Sequence, residues 1–100
     1  MDPTRALPTL LESLKEEDPD IRTRAICALD VQRDVPPDVI PVLTSALGDR
    51  SWAVRYWSAY LLGRAGAAAR PAVPALRKAL KDTDPDVRRA AAEAVRTIDR

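Results

Sequence analysis

Aliphatic side chains recur along the chain at spacings of three and four residues, which is the spacing of one face of an α-helix. Two kinds of amphipathic segment alternate. The first kind carries a Pro in its first turn, where the missing N–H costs no hydrogen bond. The second kind follows an acidic turn in which Asp18, Ser51 and Asp84 are suited to cap a helix. The pattern predicts second helices over 19–31, 52–65 and 85–98, with Gly66 as a C-cap and no strand.

This pair of segments repeats every 33 residues without insertion. We therefore predict one all-α domain over residues 1–100, built from units 1–33, 34–66 and 67–99. A single helical pair cannot bury its apolar face alone, so stacked units share a continuous core. Equivalent positions include Pro8, Pro41 and Pro74; Leu14, Leu47 and Leu80; Glu16, Asp49 and Asp82; Ile21, Val54 and Val87; and Arg22, Arg55 and Arg88.

Residues 72–95, with the sequence AVPALRKALKDTDPDVRRAAAEAV, resemble a HEAT repeat of the short bacterial type, often called the phycobilisome-lyase HEAT-like repeat. The LLGRAG segment at 61–66 resembles the usual end of its second helix. The resemblance implies a right-handed α-solenoid of three HEAT-like helical hairpins, six helices in all. It also implies that the second helices line the concave side.

All four aromatic residues lie between positions 52 and 60. At about 100° per residue, Trp52, Tyr56 and Tyr60 share one helix face. We call these three residues the aromatic stripe. The opposite face carries the core residues Val54, Ser58, Leu61, Leu62 and Ala65.

The scaffold does not require rings on this face, because the equivalent positions hold Pro19, Thr23 and Cys27, and Pro85, Arg89 and Glu93. The stripe therefore predicts a partner-binding surface, since Trp and Tyr are enriched at binding hot spots. The alternative is that the rings cover neighbouring helices. For Trp57, near the edge of the core arc, we predict plain packing between helices.

Charge adds two Arg residues to the predicted partner-binding site. The net charge is +1, distributed as −2, 0 and +3 over the three successive thirds of the chain. Arg89 and Arg96 lie on the side of the stripe in the basic third, where they suit an acidic peptide, although ordinary solvated Arg explains them equally well. Asp30 and Glu93 share this side. The predicted site is Trp52, Tyr56, Tyr60, Arg89 and Arg96.

Arg22, Arg55 and Arg88 recur in every unit, as do the turn acids Glu16, Asp49 and Asp82. Such repetition indicates a structural role. We predict that each guanidinium bridges a turn acid and loop carbonyls, and so joins one unit to the next.

The chain has no His, one Cys and three Gly, which argues against an enzyme. His-dependent nucleophilic and general-base catalysis is excluded, and no phosphate-binding Gly-rich loop is present. The acidic pairs lie in helix-capping turns, so no metal and no cofactor are predicted. Cys27 lacks a neighbour that would lower its pKa. A reducing, cytoplasmic location fits the single Cys, and no apolar run is long enough for a membrane span.

These observations predict a non-enzymatic scaffold that holds a protein or peptide on its concave face. End-to-end self-association is a further predicted contact. A nucleic-acid-binding HEAT-like module is an alternative, which the net charge of +1 disfavours. A fragment or subunit of a larger HEAT-repeat protein, such as a bilin lyase, is another.

Overall fold

The computed structural model describes residues 6–31 and 35–99. Within these ranges the chain contains α-helices, short 3-10 segments and no strand, which confirms the all-α prediction. The α-helices are α1 (Ala6–Ser13), α2 (Pro19–Cys27), α3 (Ile40–Ala46), α4 (Trp52–Ala65), α5 (Val73–Ala79) and α6 (Pro85–Ile98). The 3-10 segments are Ala28–Val31, Pro37–Val39 and Gly66–Ala72.

The bounds of the second helices follow from local signals. Helices α4 and α6 begin and end where the sequence predicts, whereas α2 gives way to 3-10 geometry after Cys27. Asp18 and Asp84 cap their helices by accepting hydrogen bonds from backbone N–H groups. The predicted cap at Ser51 is wrong in its detail, because the Ser51 side chain makes no capping hydrogen bond. Its backbone N–H instead donates to Asp49 Oδ1 at 2.8 Å.

Gly66 ends α4, as predicted. Its φ of 62° lies in the left-handed region, which side chains disfavour. The turn redirects the chain into the 3-10 segment and then into α5.

One apolar core runs through the three sequence units. It begins at Leu10 in α1, passes through Leu43, Val54 and Leu76, and reaches Ile98 at the end of α6. Helix α4 packs against α2 on one side and against α6 on the other. This central position exposes one side of α4 between its neighbours, and all four rings belong to this helix.

Candidate functional site

Helix α4 separates a buried face from a face that keeps large rings in contact with solvent. Val54, Ser58, Leu61 and Leu62 are completely buried and Ala65 is half-buried, as the helical periodicity predicts. On the other side Trp52 is 52% exposed, Tyr60 is 40% exposed and Tyr56 is half-buried. Trp52 and Tyr60 thus remain accessible to solvent, whereas Tyr56 also packs against the core.

Three of the four rings form a connected cluster. The rings of Tyr56 and Tyr60 are stacked, with their centroids 6.4 Å apart and their planes 5° from parallel. Trp57 meets both rings edge-on, at centroid distances of 5.6 Å and 5.5 Å. Edge-to-face and stacked pairs hold one another in place by about 1 kcal/mol each beyond their buried area. The three rings therefore support one another's orientation.

The rings line an open groove of about 700 Å³ between α4 and α6. This volume lies within the usual range for a small-ligand site. The groove is lined by Trp52, Tyr56, Trp57, Tyr60, Gly63, Arg64, Asp86, Arg89, Ala90, Glu93, Ala94 and Thr97. Trp57 packs against the core, as predicted, but it also lines the groove, which sequence reasoning missed.

The closest approach of α4 and α6 depends on Gly63. A Cβ atom at this position would lie 3.0 Å from Ala94 Cα and 3.2 Å from Ala94 Cβ, so Ala94 would have to move by a few tenths of an ångström to admit one. The small residues Gly63 and Ala94 let α4 and α6 contact each other directly. Nearer the start of α4, the rings line the space between the two helices. The groove is therefore bounded by a tight contact beside its aromatic wall.

The α6 wall of the groove carries both signs of charge. Arg89 lines it, as the sequence predicts, and lies 3.8 Å from Asp86, measured from Nη1 to Oδ1. Glu93 also lines it and pairs with Arg96 at 3.6 Å. The Arg96 side chain is not part of the lining. The structure thus brings Arg89 together with the rings and leaves Arg96 outside, and the groove lacks a uniformly cationic floor.

A salt bridge joins the first unit to the second. Arg22 is buried, and its Nε and Nη2 each donate to one oxygen of Asp49 at 3.0 Å. Its Nη1 donates to the backbone carbonyls of Glu16 and Glu17, at 2.7 Å and 2.8 Å. The prediction that the repeated Arg links adjacent units is confirmed. Only the backbone of Glu16 takes part, and the carboxylate partner comes from the next unit.

The same arrangement joins the second unit to the third. Arg55 donates to both carboxylate oxygens of Asp82, at 2.8 Å and 3.1 Å. Its Nη1 donates to the carbonyls of Asp49 and Arg50, at 2.9 Å and 3.1 Å. We call these two linkages the Arg–Asp ladder. The first links α2 to the turn before α4, and the second links α4 to the turn before α6.

The ladder also sets the acidity of its carboxylates. Burial acts to raise the pKa of Asp49 and of Asp82, but the hydrogen bonds from Arg22 and Arg55, those from the backbone N–H groups of Ser51 and Asp84, and the nearby Arg charges together outweigh it. The pKa of each carboxyl therefore lies below its ordinary value of 3.8. Both groups are ionised at neutral pH and keep their Arg partners paired.

Cys27 occupies the position of Tyr60 in the first unit and is half-buried. Burial raises the pKa of its thiol, and the nearby Asp30 carboxylate raises it further. The thiolate is the reactive form, so this Cys is a poor nucleophile, in line with the prediction from sequence.

Over residues 6–31 and 35–99, no group of three or more acidic, Cys or His side chains is arranged to hold a metal ion. In the same ranges no helix is long and apolar enough to cross a membrane.

The helical pairs, the Pro in the first turn of each first helix and the Arg–Asp ladder together define a repeat. A family model for HEAT repeats matches residues 40–100, which is more than half of the chain. The chain belongs to the HEAT repeat family. HEAT-repeat modules are generally protein-interaction scaffolds and are typically non-catalytic. No curated protein matches the chain closely enough to add a relative to this comparison.

Proposed function

We propose that this HEAT-repeat chain is a non-enzymatic module that binds a peptide segment of a partner protein in the groove between α4 and α6. One observation carries the proposal. All four rings of the sequence are in this groove, and Trp52 and Tyr60 remain 52% and 40% exposed. An exposed aromatic patch of this kind is typical of contact surfaces, where Trp and Tyr supply large contact areas with few rotatable bonds.

The proposed peptide is mainly apolar or aromatic, with a mixture of charges at its edges. Its central side chains contact the rings, whose burial supplies the affinity. Asp86, Arg89 and Glu93 set the polar requirements along the α6 wall, where both signs are present. The proposed peptide thus has no strong charge preference, in contrast to the acidic peptide that Arg89 and Arg96 would suit together. Arg96 plays no direct part.

The proposal includes the arrangement that the resemblance implies, a right-handed solenoid with its second helices on the concave face. It is supported by the order in which α2, α4 and α6 pack, with α4 in the middle. The short bacterial phycobilisome-lyase type, and a role as a subunit of a larger protein such as a bilin lyase, stay predictions.

The experiment is a selection of peptides from a random displayed library on the immobilised wild-type protein. Selected peptides are synthesised, and their Kd values are measured for wild type, Trp52→Ala and Tyr60→Ala. We expect each substitution to weaken binding about thirtyfold, since truncating a hot-spot ring costs about 2 kcal/mol. Both rings are more than one-third exposed, so the variants should keep the wild-type circular dichroism spectrum.

The matched control is Leu11→Ala, which removes a large apolar side chain that is 43% exposed on α1, away from the groove. It should leave every Kd unchanged. Peptides that bind wild type, Trp52→Ala and Tyr60→Ala equally well would contradict the proposal. Binding of an oligonucleotide that weakens steeply with salt and ignores the ring substitutions would favour the nucleic-acid alternative instead.

A further inference from the structure

The first unit exposes an apolar face that the other two units bury. In α4, Val54, Ser58 and Leu61 are completely buried, and in α6 the equivalent Val87, Ala91 and Ala94 are at most 2% exposed. The equivalent residues of α2 and the 3-10 segment after it are less buried: Ile21 is 39% exposed, Ala25 is half-buried and Ala28 is exposed. We call Ile21, Ala25 and Ala28 the leading face.

The third unit exposes a complementary face. In the second unit, Leu47, Ala59 and Leu62 are buried, with exposed fractions of 8%, 0% and 0%. The equivalent residues of the third unit are Leu80, which is 39% exposed, and Ala92 and Val95, which are half-buried. We call Leu80, Ala92 and Val95 the trailing face. Because the equivalent residues of the inner units are buried, the repeat assigns these two faces to packing between adjacent units.

The ladder has an unused donor at the trailing end. Arg88 Nη1 donates to the Asp82 carbonyl at 2.7 Å, as Arg55 Nη1 donates to that of Asp49. Arg55 also donates from Nε and Nη2 to the carboxylate of Asp82 in the next unit. Arg88 has no equivalent partner, since no carboxylate in the described ranges forms a salt bridge with it. The Arg88 guanidinium is exposed, and its Nε and Nη2 form no hydrogen bond with a carboxylate among the described residues.

The leading end supplies the matching acid. Glu16 occupies in the first unit the position that Asp49 and Asp82 occupy in the second and third. Those two acids each bind an Arg of the unit before. The exposed Glu16 carboxylate has no salt-bridge partner within the described part of the chain.

We propose that two copies of this chain associate head to tail, with the trailing face of one copy packed on the leading face of the next. Arg88 of one copy then binds Glu16 of the other and extends the Arg–Asp ladder across the join. The burial pattern identifies the two faces. The charge distribution indicates that unlike ends of two copies meet. The first third of the chain carries −2 and the last carries +3, so unlike ends attract and like ends repel. Because such a contact is heterologous, it continues into short chains or closes a ring.

The experiment measures molar mass by light scattering and sedimentation over protein concentrations from about 1 μM to 1 mM, the usual range of weak association. We expect the mass of the wild type to rise with concentration. Glu16→Arg and Arg88→Glu each place like charges opposite one another, and should raise the dissociation constant at least tenfold. The double variant carrying both substitutions restores an opposite-charge pair and should recover association.

Ile21→Glu should also weaken self-association, because it places a charge on the apolar leading face. It leaves the residues of the Arg–Asp ladder unchanged. Its native side chain is 39% exposed, so the variant should fold. Asp38→Arg and Arg70→Glu are the matched charge-reversal controls at exposed positions away from both faces, and should leave association unchanged. Trp52→Ala should also leave it unchanged, which separates this contact from the groove.

Three outcomes would overturn the proposal. The first is a wild type that stays monomeric over the whole concentration range. The second is association that Ile21→Glu and the two single charge reversals leave intact. The third is a folded double variant that fails to recover association when both single variants have lost it.

Discussion

Gly63 lies where α4 contacts α6, and a side chain there would press on the backbone and Cβ of Ala94. The equivalent position holds Asp30 in the first unit and Arg96 in the third. The side of α6 that carries Arg96 thus corresponds to the side of α4 that contacts the next unit. This explains why the structure leaves Arg96 out of the groove although the helical wheel places it near the stripe.

Gly63→Ala should destabilise the protein by about 1–3 kcal/mol, because the added methyl group overpacks a tight contact with Ala94. The measurement is the free energy of unfolding from urea titration, followed by circular dichroism. Gly48→Ala is the control. Its new Cβ would meet nothing closer than the Ser45 carbonyl oxygen, at 3.6 Å, so its stability should stay within about 0.5 kcal/mol of wild type. Equal stability of the two variants would show that α4 and α6 separate at little cost.

At the scale of elements, the Arg–Asp ladder fixes each second helix to the turn that precedes the next one. The bidentate geometry suits Arg and excludes Lys, whose single ammonium cannot reach two carboxylate oxygens and two carbonyls at once. Arg22 and Arg55 donate from Nη1 to backbone carbonyls and from Nε and Nη2 to a carboxylate. Within the described residues, Arg88 donates only from Nη1, to a carbonyl. The three equivalent side chains therefore contribute differently to stability.

Arg55→Gln should lower the free energy of unfolding by about 2–3 kcal/mol, since it removes charged hydrogen bonds and leaves the Asp82 carboxylate, only 10% exposed, without its partner. Arg88→Gln removes one hydrogen bond at an exposed position and should cost about 0.5–1 kcal/mol. Both values come from urea titration at a concentration where the protein is monomeric. A larger loss for Arg88→Gln than for Arg55→Gln would contradict this account of the ladder.

The lowered pKa values of Asp49 and Asp82 predict an acid-sensitive fold. A carboxyl whose pKa is lower in the folded state stabilises the protein above its unfolded-state pKa. That contribution is lost as the pH falls below 3.8 towards the lower folded-state pKa. The free energy of unfolding of the wild type should therefore fall over this window. Asp82→Asn cannot titrate, so its decline should be shallower.

Asp38→Asn is the control for this pH series, since Asp38 is exposed in the 3-10 segment before α3. It should show the acid dependence of the wild type. If Asp82→Asn declines as steeply as the wild type, carboxyls outside the ladder cause the acid sensitivity.

At the scale of the whole molecule, the groove and the two end faces occupy different surfaces and can act independently. The groove depends on residues of the second and third units, whereas the proposed join uses the outer sides of the first and third. Repetition connects the two. Adjacent units of the chain pack on one another through similar faces. The first and third units therefore carry faces of the same kind on their outer sides. The self-association experiment is the whole-molecule test of this argument, and the peptide selection tests the groove separately.

The sequence by itself determined the all-α class, the 33-residue period and the starts of α2, α4 and α6. These features depend on local signals that neighbouring residues carry, namely helical periodicity, first-turn Pro, capping Asp and a Gly with positive φ. It also identified the exposed rings Trp52 and Tyr60, because a helix can direct only one face into the core.

Only the tertiary structure decided which side chains meet across helices. It brought Trp57, Asp86 and Glu93 into the groove with the stripe, left Arg96 outside, and paired Arg22 and Arg55 with acids 27 residues further along. Periodicity gives the direction of a side chain from its own helix axis, but contacts between helices depend on their spacing and rotation. The Gly63–Ala94 contact and the ladder fix that spacing here, and neither is a property of a single helix.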